Sequence, residues 1–119
     1  MSEPKEKDKD LYNYKATIER IIDADTVVAN ISVGFNIYNV VKLRLLGINA
    51  PEKNTVEGKD AIKWLSENLP IGEEVKISTY KDSTDKFGRI LAIVTYLDMD
   101  MNQELIKSGH AVEYWGGKR

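Results

Sequence analysis

The chain has no cysteine, which excludes disulfides and thiolate metal sites. It has one histidine, His110, so neither a histidine-based zinc site nor a histidine pair can be assembled. Any metal must therefore be held by oxygens. The missing cysteines do not place the compartment, because reducing and oxidising spaces both tolerate such chains. Long apolar runs are also missing, and nothing reaches bilayer-spanning length. Met1 to Asp10 is a string of charges with no apolar stretch of the signal-peptide kind. A disordered tail is expected over residues 1–12, with no membrane partner. A cytoplasmic or otherwise intracellular location is expected, or a secreted one if a signal was removed.

Excess charge is lacking too. Seventeen Lys and Arg stand against 19 Asp and Glu, for a net charge of −2. This is not the strongly basic footprint of a passive nucleic-acid binder. An enzyme that needs only local positive charge, a cation and product release fits such a balance better. With 119 residues, 42% hydrophobic and 30% charged, the chain suits one globular domain, expected over residues 13–119.

The pattern along the chain predicts three strands, a helix, two strands and a short helix. Tyr14 to Ile22 alternates, with Ala16, Ile18 and Ile22 facing in. Thr26 to Ser32 is β-branched and reads as the second strand, with Gly34 in the hairpin connection. In the third, Tyr38 to Leu46, Val41, Leu43 and Leu45 share one face, while Lys42 and Arg44 share the other. Arg44 thus points away from the core. Gly47 to Glu52 reads as a loop. Ala61, Trp64, Leu65 and Leu69 mark the inner face of a helix over residues 57–69, ended by Pro70. Val75, Ile77 and Thr79 alternate in a fourth strand, and Ile90 to Tyr96 forms the fifth. Asn102 is the expected cap and Gly109 the expected stop of the final helix. Five strands with a helix between the third and fourth are the order of an OB-fold, a small closed β-barrel.

Three separated segments carry chemistry: Asp23-Ala-Asp25-Thr26, Arg44-Leu-Leu-Gly-Ile-Asn49-Ala50-Pro51-Glu52, and Asp85-Lys86-Phe87-Gly88-Arg89. They supply carboxylate and amide oxygens suited to a hard cation, a carboxylate beside a rigid Pro turn, and two guanidinium forks that match phosphate. Each has a plain structural reading. Asp25 alone is a turn residue, Arg44 a solvated strand charge, Asp85-x-x-Gly88-Arg89 a loop, and Pro51-Glu52 a helix start. Jointly, a phosphodiester-cleaving site explains all four. His110 has nothing arranged around it and reads as structural. Trp115 is open between tail packing and a stacking platform.

The three motifs and the element order resemble the staphylococcal (micrococcal) nuclease family, from about Tyr14 to Tyr114. The resemblance implies an OB-fold enzyme that uses one Ca²⁺ ion to hydrolyse DNA and RNA with little sequence preference, leaving 5′-hydroxyl and 3′-phosphate ends. Mg²⁺ or Mn²⁺ are candidate replacements for the ion, and a monomer is expected. Carried over by position, Asp25 is the principal carboxylate ligand, Asn49 stands at a second ligand position and Ala50 offers its carbonyl. Glu52 orients or deprotonates the attacking water, Arg44 and Arg89 hold the phosphate, and Asp23 is an acid near the ion. Lys86, Phe87 and Tyr114 contact the nucleotide. Asn49 replaces the family's usual Asp, Ala50 a Thr, and Phe87 a Tyr. A neutral Asn lowers the site's negative charge, so weaker Ca²⁺ binding is expected. The competing expectation is a weak or inactive OB-fold module that binds single-stranded nucleic acid or a protein partner.

Overall fold

A computed structural model describes residues 11–115; the expected tail, apart from Leu11 and Tyr12, lies outside them. Five long strands build the barrel: β1 (Leu11–Asp23), β2 (Thr26–Ser32), β3 (Tyr38–Leu45), β5 (Glu74–Tyr80) and β6 (Ile90–Tyr96). Short pieces complete the sheets: β4 (Ile48–Asn49), β7 (Met99–Asp100) and β8 (Val112–Glu113). Helix α1 spans Val56–Asn68 and α2 spans Met101–Lys107. The sheet order is β3-β2-β1-β5-β6-β7, and a parallel β3–β6 pairing closes the barrel. The strand–helix order is that of an OB-fold.

Closure works because alternate residues of every long strand are apolar and point to one interior. Ile18, Val27, Leu43, Leu45, Ile77 and Val94 are fully buried there. From α1, Ala61, Leu65 and Leu69 join the same core, and from α2, Met101 and Leu105. Each large aliphatic side chain so buried contributes roughly 1.5–3 kcal/mol. Truncating one, as in Leu43→Ala, would cost about 2–5 kcal/mol.

Three expectations change on contact with the structure. β1 starts at Leu11 and carries register shifts between Ile18 and Arg20 and between Ile21 and Asp23. Such an extra residue flips the inward face, so Ile21 packs on the core in place of Ile22. The expected Gly47–Glu52 loop contains β4, whose Ile48 and Asn49 pair with Glu113 and Val112. Finally, Asp100 caps α2, accepting from the Gln103 amide at 3.1 Å. Asn102 is instead buried: it accepts from the Val94 amide and donates to the Leu46 and Ala92 carbonyls. It thereby fastens α2 to β6 and to the end of β3.

α1 is capped by Thr55, whose hydroxyl accepts from the Gly58 amide at 2.9 Å. At its other end Leu69 is the cap residue before Pro70. Trp64 is half-buried, with its ring 5.6 Å from that of His110. His110 therefore packs against the helix. Gly109, at φ +82°, ends α2 in the backbone conformation that glycine favours.

Candidate active site

The register of the β2–β3 ladder determines where the site forms. Thr26 and Arg44 are direct partners across it, as are Val27 and Leu43. Cross-strand partners project to the same face, so Val27 and Leu43 enter the core while Thr26 and Arg44 face the other way. Arg44 is also paired with Leu91 in the parallel contact that closes the barrel. Its guanidinium is held close to the surface, with 12% of the side chain exposed.

Asp25 sits at the β1–β2 junction and is buried. One carboxylate oxygen accepts from the Ala50 amide at 2.8 Å and lies 3.6 Å from Arg44 Nη2. The other accepts from the Thr26 hydroxyl at 3.2 Å. Arg44 Nη1 donates to the Leu45 carbonyl at 2.8 Å, and Nη2 to Asn49 Oδ1 at 3.3 Å. The main-chain bond from Leu45 N to Asp25 O, 2.8 Å, locks the two segments together. Two motifs distant in sequence are thus one rigid unit.

Arg89 reaches the same unit from the β5–β6 connection. Asp85 starts a tight turn, accepting from the Phe87 and Arg89 amides at 2.9 and 3.0 Å on one oxygen. Its other oxygen takes Arg89 Nε and Nη2, both at 2.7 Å. Gly88, at φ +83°, allows the reversal. Arg89 Nη1 then donates to Thr26 Oγ1 at 3.3 Å. Desolvation works to raise the Asp85 carboxyl pKa, but the two amides and the Arg89 guanidinium outweigh it and hold that pKa below the usual carboxylate range. Asp85 is a fixed anion that holds the Arg89 guanidinium in one orientation.

A cavity of about 390 Å³ is lined by Asp23, Asp25, Arg44, Asn49, Ala50, Pro51, Glu52 and Arg89, among others. Every residue given a catalytic or cation role by the sequence lines this cavity. A neighbouring cavity of about 540 Å³ shares Arg44, Asn49 and Arg89, and adds Lys86, Phe87, Tyr114 and Trp115. The proposed nucleotide contacts therefore adjoin the proposed chemistry, with the arginines common to both. Phe87 is 72% exposed, with the Arg89 guanidinium 5.2 Å and the Lys86 ammonium 5.6 Å from its ring centroid. Trp115 lies against Gly47, where a Cβ would come within 2.6 Å of the indole. Its Nε1 donates to Glu113 at 3.0 Å. The indole is a wall of the larger cavity.

Two residues of the site had no role assigned from sequence. Thr26 joins Arg89 to Asp25, and Asp85 holds the Arg89 fork. The four-residue spacing of Asp85 and Arg89 across a glycine turn was an available signal; Thr26 stood in a quoted motif, but its bond to Arg89 depends on register and left none.

The donor set can be tested against a cation on its chemistry. Among the described residues no three His, Cys, Asp or Glu side chains converge as a metal cluster. The oxygens that meet are one buried carboxylate, Asp25, and the Asn49 amide, with Asp23 and Glu52 lining the same cavity. Only oxygens are offered, which fits a hard cation such as Ca²⁺.

A closed OB-fold barrel with paired arginines and acids at the closing seam defines the class of the molecule. The family described as staphylococcal nuclease homologue matches residues 42–118, and the chain belongs to that family. It is 27% identical to endonuclease YhcR of Bacillus subtilis (strain 168) over 114 residues, which cover 86% of this chain and 9% of that protein. It is 35% identical over 74 residues to an uncharacterized endonuclease of Haemophilus influenzae, covering 62% of this chain and 40% of that protein. The chain spans less than half the length of either relative.

Proposed function

We propose that this chain is a Ca²⁺-dependent nuclease that hydrolyses phosphodiester bonds of DNA and RNA with little sequence preference. The observation that carries this reading is the convergence of Asp25, Arg44, Asn49, Glu52 and Arg89 on one cavity of about 390 Å³. Family membership and the endonuclease names of two relatives support it.

The Asp25 carboxylate, the Asn49 amide oxygen and the Ala50 main-chain carbonyl would hold the ion. Bound there, Ca²⁺ supplies charge neutralisation and a template for the phosphate. Arg44 and Arg89 present donors to the phosphate oxygens, where charge builds in the transition state; such preorganised electrostatics is usually the largest catalytic term. Their geometry is set in advance by Asp85, Thr26 and the Leu45 carbonyl, so little reorganisation remains. Glu52, exposed at the cavity edge, orients water and takes its proton as the new O–P bond forms. The P–O5′ bond breaks, the leaving oxygen takes up a proton, and the products carry 3′-phosphate and 5′-hydroxyl ends. Phe87, Tyr114 and Trp115 offer faces on which bases stack without sequence readout.

Digestion of plasmid and single-stranded DNA with Ca²⁺, and in parallel with chelator, tests the reading. Cleavage that needs the ion supports it. Binding without cleavage would favour a non-catalytic OB-fold module instead.

A further inference from the structure

We infer that Gly58 is a positioning residue for Glu52. The inference rests on the role proposed above for that carboxylate. Gly58 is the third residue of α1, a place where glycine weakens a helix relative to most residues. Its backbone is not in the left-handed region, so conformational freedom is not what the position requires. Space is what it requires. A Cβ on residue 58 would overlap the Glu52 carbonyl oxygen outright, and would lie 2.5 Å from the Glu52 carbonyl carbon and 3.0 Å from Lys53 Cα.

The same carbonyl is gripped by Thr55. The Thr55 amide donates to it at 3.0 Å and the Thr55 hydroxyl at 2.7 Å. That hydroxyl in turn accepts from the Gly58 amide at 2.9 Å. A relay therefore runs from Gly58 N–H through Thr55 Oγ1 to Glu52 O, and the peptide of Glu52 rests on the bare Cα of Gly58. Asn49, Ala50, Pro51 and Glu52 all line the candidate cavity. The far end of their segment is moored to the helix through this one carbonyl. Ala50, by contrast, is moored separately by its amide on Asp25. A side chain at 58 must therefore shift Glu52, while the Asp25 and Asn49 side-chain oxygens keep their bonds to Thr26, the Ala50 amide and Arg44.

The experiment measures kcat, KM and the half-saturating Ca²⁺ concentration on single-stranded DNA for Gly58→Ala, Glu52→Gln and the double variant, with thermal unfolding of each. Misplacing a reacting group by about 1 Å can cost on the order of 10² in rate. Gly58→Ala should lower kcat by roughly 10- to 100-fold, with KM and Ca²⁺ dependence nearly unchanged. In the Glu52→Gln background the same change should lower kcat no further, because coupled residues are not additive. Equal losses in both backgrounds would overturn the inference, as would wild-type kcat in Gly58→Ala beside an impaired Glu52→Gln. A fully active Glu52→Gln would instead overturn the role of Glu52, and that result is separate from the other two. If Gly58→Ala fails to fold, the hydroxyl relay decides by the same cycle. Thr55→Ser should keep kcat and Thr55→Val should lower it, and only where Glu52 is present; loss in both backgrounds would overturn the inference.

Discussion

Arg44 Nη2 stands 3.6 Å from the buried Asp25 carboxylate and donates to Asn49 Oδ1 at 3.3 Å. These are the two side-chain oxygens proposed above to hold the cation. A cation held as proposed would share these acceptors with the guanidinium, and each would raise the electrostatic cost of the other. Neutralising the arginine, as in Arg44→Gln, should tighten Ca²⁺ binding severalfold while lowering kcat. Calorimetric Ca²⁺ titration checks the first effect, and weakened binding would show that Arg44 organises the cation site.

The charge of the site gives a second expectation. Asn49→Asp adds a carboxylate beside Asp25, and ligand charge tunes Ca²⁺ affinity. Half-saturating Ca²⁺ should fall. An unchanged value would place residue 49 outside the cation's ligands.

Arg89 should be sensitive to how it is held. Asp85→Asn keeps the turn's acceptor but removes the charge that fixes Nε and Nη2 at 2.7 Å. We expect kcat to fall by about tenfold or more, since positioning errors act on the transition state. Thermal stability should change by less than about 1 kcal/mol, because a partly exposed pair contributes little to folding. Arg89→Lys should lose more activity, because an ammonium cannot reproduce the planar fork. Unfolding of either variant would make the pair structural.

Stability at high pH should depend on Tyr14. Its hydroxyl donates to both oxygens of Asp82, at 3.0 and 2.9 Å. Desolvation and this bonded carboxylate push the phenol up to about 12 from 10.0. A raised folded-state pKa contributes stability below the unfolded value that is lost as pH rises through the folded value. Wild type should therefore lose stability between pH 10 and 12, and Tyr14→Phe should lose less over that window. Equal pH dependence of the two in thermal unfolding would contradict this.

The fold was legible where apolar residues alternate, as in β3, where they run nearly unbroken, as in β6, and where a proline closes α1. It was not legible at Glu19, where a bulge in β1 turns Ile21 inward, or at Asn102, whose buried amide serves three backbone groups of two other segments. Neither a bulge nor a tertiary amide contact leaves a local pattern. The candidate site residues were legible because short motifs carry them. What holds them was not: the Thr26 bridge needs the β2–β3 register, and the contact of Gly58 with Glu52 needs the loop folded back on the helix.

The most direct test of the account is the rate of single-stranded DNA cleavage measured against Ca²⁺ concentration for wild type and Glu52→Gln. Wild type should be inactive in chelator and saturate with Ca²⁺. Glu52→Gln should saturate at nearly the same Ca²⁺ concentration with a rate lower by roughly 10² or more, as for loss of a general base. Cleavage by wild type in chelator, or recovery of the Glu52→Gln rate in excess Ca²⁺, would contradict the account.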